Sequence, residues 1–430
     1  MIATLESRIL EALDKSHADL TALLAALVRF ETDNPPGKNE APAQEWMAAE
    51  MRKLGLEVDV FDALPGRPNA VGVWRGTGGG RSVILNGHID VAEVRQRSAW
   101  ERDPFDPVVE GRTMYGRGTS DMKSALAAYL YAVRQLQAAG VRLRGDVVIQ
   151  SVMGEEAGEP GAHACTERGY RADFGIVGEA TRARQALAAV GTMNLRITIR
   201  SPYTLHLHAR RLALHAGGGL EGANCVEKMA TRIIPALQEL EREWAVWKRH
   251  GAIPPAQTLI NPFAIRGGGN PFFLPDECTM HVIVLYLPGE ARDGVRREVE
   301  DQVRRAAELD AWLRKYPPEL EWDPAEYPVA FLPSDVDAAH PAVRELVEAG
   351  REILGAPIEI GGGRGAVCDS GWVARGGTPT VVWGPGDIYW AHRVDERVNL
   401  DDVLAYAKVL ALFLMRWCGT AEAPSKGATR

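Results

Sequence analysis

Residues 147–156 read VVIQSVMGEE, and the fold turns on this stretch. Seven mostly apolar, β-branched residues make a short buried strand. A glycine follows, and then two adjacent glutamates, Glu155 and Glu156. Neighbouring carboxylates repel, and burying either without a partner costs on the order of several kcal/mol or forces it to take up a proton. In isolation such a pair is a solvated loop. Its meaning depends on what stands at the ends of the neighbouring strands.

The same idiom repeats outward from this point. RSVILNGHID (81–90) is an apolar run ending in polar residues, and FGIVGEA (174–180) is another strand. Between them DMKSALAAYLYAVRQLQAAG (121–140) reads as a helix closed by Gly140. Upstream, apolar positions at helical spacing predict one helix over 5–29, then the turn TDNPPGKNE (32–40) and a second helix over 43–54. LEVDVF (56–61) and NAVGVW (69–74) are strands. Apolar strands alternating with helices imply an α/β fold with a mixed, largely parallel sheet flanked by helices.

The pattern changes near Ala188. TMNLRITIR (192–200) alternates apolar and polar residues, as a half-exposed strand does; a helical stretch 225–247 and a strand 278–287 follow. A charged helix (292–315) and a short strand near Leu320 complete a compact α+β layer. After about residue 325 the first idiom returns, with a helix over 341–354, strand and loop in TPTVVWGPG (378–386), and a helix over 401–417. The expected organisation is one domain interrupted by another, with a disordered tail at 419–430.

Composition narrows the function. A chain of 430 residues, 46% hydrophobic and 25% charged, can bury a large core and divide into two domains. A net charge of −8, with no run of lysine or arginine, argues against nucleic acid as partner. The N-terminal residues show no signal-peptide pattern, and the early apolar run 20–28 is too short to span a bilayer. Cys165, Cys225, Cys278, Cys368 and Cys418 are scattered without a CxxC pair, the pattern of reduced thiols in the cytoplasm.

Polar residues gather where the strands end. His88 and Asp90 follow the apolar run 83–85, Asp121 opens the helix of 121–140, Glu155 and Glu156 follow their strand, Glu179 follows FGIVG, and His392 lies beyond the strand at 378–386. In open α/β sheets, sites collect at the carboxyl ends of strands. Singly these signals are weak: a lone histidine is more often structural, and Asp121 alone could be a helix N-terminal acid. Together, two histidines and several carboxylates without thiolates suit two divalent ions such as zinc, cobalt or manganese. Two cations explain the paired glutamates: one ligates, and the other stays charged beside bound water. The His-x-Asp spacing lets Asp90 accept a hydrogen bond from the His88 ring nitrogen not bound to metal.

The ordered segments NGHIDVAEV, GRTMYGRGTSDMKSALAAYL, VMGEEAGEPGA, IVGEAT, TPTVVWGPGD and AHRVDERV resemble the signatures of one family. It is the dinuclear metallohydrolase family of acetylornithine deacetylase, succinyl-diaminopimelate desuccinylase, aminoacylase and carboxypeptidase G, and the resemblance spans about residues 10–415. It implies a metallopeptidase-type catalytic domain built from 1–186 and 325–418, with an inserted lid at 187–324 that mediates homodimerisation. It implies two ions, zinc foremost, one on His88, Asp121 and Glu179 and the other on Asp121, Glu156 and His392. It further implies Glu155 as general base, passing the proton of a metal-activated water to the leaving amine, with Asp90 behind His88. A lid histidine from the partner subunit would stabilise the oxyanion. Counting along the lid strand favours His206; counting back from Asn224 favours His215; His208 is also available.

The lid also departs from the pattern. Where amino-acid-cleaving relatives carry an arginine before LPGE, this chain has Tyr286, which cannot grip a carboxylate bidentately. Arg210, Arg266 and Arg364 could substitute, the last two in the glycine-rich loops RGGGN and GGGRGAV. The departure points toward a small N-acyl compound other than an acetylated amino acid, for example the formylaminopyrimidine of thiamine salvage. Dipeptidase or carboxypeptidase activity on the same metals is the competing reading. A non-catalytic, ligand-binding relative would have lost a ligand or base, and none is lost here. No GxSxG elbow or strand–GxGxxG–helix fingerprint supports a serine hydrolase or a dinucleotide enzyme.

Overall fold

The computed structural model describes residues 4–158, 160–210, 222–326, 331–361 and 367–421. The chain divides into two compact units, one holding residues up to Ala189 and again from Ser334, the other holding Val190–Pro333.

The first unit is built on an eight-stranded sheet. Its order is Ile360–Gly361, Gln185–Ala186, Thr380–Val382, Phe174–Val177, Val83–His88, Val147–Val152, Arg67–Trp74 and Glu57–Leu64. The four strands from Thr380–Val382 to Val147–Val152 run parallel, and the last two are antiparallel additions. Val83–His88 and Val147–Val152 are buried along their whole length because helices cover both faces. Pro160–Glu167 and Ser370–Arg375 pack on the face carrying Val71, Ile84, Val148 and Val177. On the other face, a Cβ on Gly178 would overlap Ala125 and the Tyr129 hydroxyl, so glycine is what lets helix Lys123–Ala138 lie against the sheet.

Several elements differ from expectation. The predicted helix 5–29 is two helices, Leu5–Lys15 and His17–Val28, parted at Ser16. The Ser16 hydroxyl turns back to the Ala12 carbonyl at 2.7 Å and meets the Tyr131 hydroxyl at 3.1 Å. Apolar spacing runs through the break unaltered, so periodicity cannot reveal it. Residues 419–421, expected in a disordered tail, pair with 142–144: the Gly419 carbonyl accepts from Arg144 N–H at 2.8 Å and the Ala421 N–H donates to the Arg142 carbonyl at 2.8 Å. Residues 422–430 lie outside the described residues.

The second unit is a four-stranded antiparallel sheet in the order Leu259–Gly267, Glu277–Tyr286, Gly191–Arg200, Glu319–Trp322. Met193, Leu195, Ile197 and Ile199 alternate toward a core shared with helices Ile234–Trp247 and Arg292–Glu308. The opposite face carries ion pairs, Arg200 with Glu277 at 2.9 Å and Glu319 at 2.6 Å among them. The strand Gly191–Arg200 is more buried than its alternation suggested, since partners flank it on both sides. Arg266 belongs to strand Leu259–Gly267, not to a loop, and Tyr286 is packed into the core. The unit extends beyond the expected 324 because Thr192 N–H donates to the Phe331 carbonyl at 2.9 Å, holding that segment to the central strand. Ala188–Ala189 and Ser334–Asp335, which flank the insertion, pair antiparallel in the first unit.

Candidate metal centre

Seven of the residues singled out in the sequence converge in the first unit, beyond the carboxyl ends of its four parallel strands. His88 ends strand Val83–His88 and is fully buried. Its Nδ1 lies 2.9 Å from the Asp90 carbonyl oxygen. Only an N–H can make that bond, so Nδ1 carries a proton, and Nε2 is the nitrogen turned toward the carboxylates, free to ligate once a cation displaces its own proton. Nε2 faces Asp121 Oδ1 at 3.3 Å, Glu179 Oε1 at 3.5 Å and Glu155 Oε2 at 3.9 Å.

The second histidine completes another group. His392 Nε2 lies 3.0 Å from Glu156 Oε2 and 3.3 Å from Asp121 Oδ2. Asp121 thus offers one oxygen to each imidazole. Donor atoms of His88, Glu155 and Glu179 lie within 4.8 Å of one another, and so do those of Asp121, Glu156 and His392. Glu155, expected as base only, is close enough to His88 to share its donor group.

Asp90 departs from the expected role. The carbonyl, not the carboxylate, is the nearer partner of the His88 ring; Asp90 Oδ1 is 3.6 Å from Nδ1. The carboxylate instead accepts from Glu155 N–H at 3.1 Å, Glu156 N–H at 3.0 Å and Asn34 Nδ2 at 2.8 Å. Asp90 therefore orders the main chain under both glutamates. Gly154, immediately before them, has φ of 80°, which a side chain disfavours.

The electrostatics of the cluster ask for positive charge. Burial drives the Glu155 carboxyl well above its usual range, and Glu179 and Glu156 push it further. Burial would strip the proton from His88, but hydrogen bonds to Asp121 and Glu179 reverse that and hold it well above its normal value. Hydrogen bonds to Asp121 and Glu156 pull His392 up to about 11. Burial opposes ionisation of Asp121, and the two histidines overcome it and hold its carboxyl well below the carboxylate range. In a cation-free site, protons balance the carboxylates. Divalent ions can take that place, and a set of imidazole nitrogens and carboxylate oxygens without sulfur fits zinc, cobalt or manganese.

Further residues hold the site without having been singled out. Glu396 is fully buried; its Oε1 accepts from Ser120 N–H at 2.9 Å and Asp121 N–H at 3.0 Å, and its Oε2 pairs with Arg117 at 2.7 Å. Glu40 pairs with Arg67 through bonds of 2.5 and 2.8 Å and accepts from Gly154 N–H. Asp369 is fully buried, and burial pushes its carboxyl up to about 8 against the opposing pull of His88, with Glu179 and Asp90 adding to the rise. A charge buried at a distance in sequence from its partner leaves no periodic trace, and spacing alone could not find these.

The histidines of the second segment fall differently. His206 lies in the second unit, where its Nδ1 accepts from His208 N–H at 3.3 Å and its ring stacks on His208 at 4.8 Å. Arg210 is ion-paired with Glu227. His215 and Arg364 lie outside the described residues.

The fold and site define a hydrolase, and comparison with known proteins gives its family. Residues 84–416 match peptidase family M20/M25/M40, and the chain belongs to that family. It is 39% identical over 424 residues to N-formyl-4-amino-5-aminomethyl-2-methylpyrimidine deformylase of Halalkalibacterium halodurans, covering 96% of this chain and 98% of the relative. To the deformylase of the same name from Bacillus subtilis it is 38% identical over 406 residues, covering 93% and 95%. A dinuclear metal-binding peptidase of the M20 family from Bacillus subtilis shares the fold, with a TM-score of 0.64 at 15% identity over 94% of this chain and 99% of that one. Within the family the chain is an amidohydrolase of the deacylase or deformylase kind, acting on a linear amide of a small compound. No helix among the described residues is long and apolar enough to cross a membrane.

Proposed function

We propose that this chain hydrolyses the formamide of an N-formylated aminomethylpyrimidine, releasing formate and the free primary amine. The observation that carries the reading is likeness to such deformylases over nearly the whole of both chains. His88, Asp121 and Glu179 would hold one divalent ion and Asp121, Glu156 and His392 the other, zinc first among the candidates. Bound ions supply an acidified water and a Lewis acid for the carbonyl. Glu155 removes the proton from the attacking water and returns it to the departing nitrogen, so that the C–N bond breaks as a C–O bond forms. Asp90 keeps Glu155 in place through its main chain.

The unit at 190–333 serves in this reading as a lid that pairs with a second copy, and His206 or His215 reaches the partner's oxyanion. Five buried free thiols support a reducing, cytoplasmic setting. The test is direct. Purified zinc-loaded protein is offered the N-formyl pyrimidine, an N-acetyl and an N-succinyl amino acid, and a dipeptide, and amine release is followed. Fastest turnover of the formyl pyrimidine is expected; a higher kcat/KM on the dipeptide or an acyl amino acid refutes the substrate. For the lid, a mixed dimer of His206→Ala and Glu155→Gln chains should recover activity. No recovery in proven mixed dimers rules out donation by His206 in trans.

A further inference from the structure

We propose that Arg117 and Glu396 are positioning residues that set the spacing between Asp121 and His392, and so govern the metal site of Asp121, Glu156 and His392 more strongly than the site it shares Asp121 with. The proposal rests on reading Asp121, Glu156 and His392 as a cation-binding group. Asp121 and His392 are far apart in the chain and must be brought together by something other than local structure. The buried ion pair does this from behind. Glu396 holds the main-chain N–H of Ser120 and Asp121 on one oxygen and the Arg117 guanidinium on the other. Arg117 Nη2 donates to the His392 carbonyl at 3.3 Å, and Nη1 donates to the Arg393 carbonyl at 3.4 Å as well as to Glu396.

The ion pair therefore touches the backbone of both ligand-bearing segments and neither ligand side chain. Both members are almost wholly buried, with side chains 4% and 0% exposed. His392 has φ of 62°, a left-handed conformation that a non-glycine residue keeps only where its surroundings hold it. The tether on its carbonyl is such a hold. Of the two ligand-bearing segments the pair holds, Asp121 faces both histidines while His392 belongs to one group alone, so that group depends on both ends of the clasp.

Two substitutions probe the clasp. Glu396→Gln keeps the shape but places an amide NH2 against either Arg117 or the two backbone N–H groups. Arg117→Lys keeps the charge but replaces a planar fork by one ammonium, which cannot reach the carboxylate and two carbonyls together. Metal-free wild type and variants are titrated with zinc against a chelating dye, and with cobalt by visible absorption. Wild type is expected to bind two ions. Each variant should bind the ion on His392 roughly 10–100-fold more weakly, and the ion on His88, which shares only Asp121, by a smaller factor, with Arg117→Lys the milder. Thermal midpoints of the metal-free proteins separate this from a general loss of structure. Two ions held at wild-type affinity by both variants overturn the proposal. Equal weakening of both ions with a lowered metal-free midpoint also overturns it. A wild-type chain that takes up no divalent ion refutes the metal reading itself, and is recognised because the variants then do not differ from it.

Discussion

Replacing Asp90 by asparagine tests how the paired glutamates are held. The carboxylate is fully buried and accepts three hydrogen bonds: Oδ2 takes Asn34 Nδ2 and Glu156 N–H, and Oδ1 takes Glu155 N–H. An asparagine has one acceptor oxygen and one NH2. The oxygen goes where two donors meet, at the Oδ2 position, so the NH2 opposes Glu155 N–H. Leaving one buried donor unsatisfied costs about 1–3 kcal/mol. If that displacement falls on Glu155, the proposed base, kcat/KM drops by roughly 5- to 150-fold. The His88 ring keeps its contact with the residue-90 carbonyl, so metal content should not change. The measurement is kcat/KM on the formyl pyrimidine beside bound zinc per chain. Loss of one ion with the remaining activity restored by excess zinc would show that the side chain of Asp90 acts through His88, and the reasoning would fail.

Four further outcomes are expected. Glu155→Gln should retain metal and lose activity by about 10²–10⁴-fold, because an amide cannot accept the water's proton; Glu156→Gln should instead weaken uptake of one ion, and the opposite assignment of the two effects reverses the roles. Dialysis against a chelator should abolish hydrolysis and zinc or cobalt should restore it, whereas full activity in a protein shown to hold no metal sinks the mechanism. Gly178→Ala should destabilise the first unit by about 1–3 kcal/mol, since its Cβ would overlap Ala125 and Tyr129, and an unchanged unfolding midpoint contradicts that packing. In the second unit, burial raises the Asp310 carboxyl, but Lys228 at 2.7 Å together with the N–H groups of Leu313 and Trp312 outweighs it and leaves the carboxyl below its usual range. A lowered folded value gives stability that is present above the unfolded pKa of about 3.9 and fades as pH falls through the folded one. Asp310→Asn should therefore flatten the acid limb of stability, and an unaltered slope between wild type and variant counts against the pair.

The α/β class and the cluster of site residues were legible because each rests on a local pattern. An apolar run ending in His88, or in Glu155 and Glu156, announces a buried strand and the polar residue at its mouth. The strand Leu259–Gly267 went unread: its exposed Phe263 and Ile265 alternate with partly buried residues, and proline interrupts it at Pro262. Asp90 was paired with His88, and its carbonyl rather than its carboxylate lies nearer the ring, since sequence spacing cannot distinguish the two. Glu396 lies only four residues from His392, yet its partners Ser120, Asp121 and Arg117 are more than two hundred and seventy positions away. Contacts of that range are made by tertiary folding and leave no periodicity to read.

The closed base of the insertion bears on how the chain assembles. The second unit is one continuous segment, and its two ends already lie together: a Cβ on Gly191 would abut Pro333, and Thr192 bonds to Phe331. The first unit, by contrast, is split between an early and a late stretch of chain. Once the insertion folds, it acts as a short rigid connector rather than a long flexible loop, and the entropy of joining Ala189 to Ser334 falls accordingly. Folding of the intervening segment thus delivers the strand that leads to His392 to the strands that carry His88, Glu155 and Glu179. A lesion deep in that segment would first be felt as slow or failed completion of a sheet to which it contributes no strand.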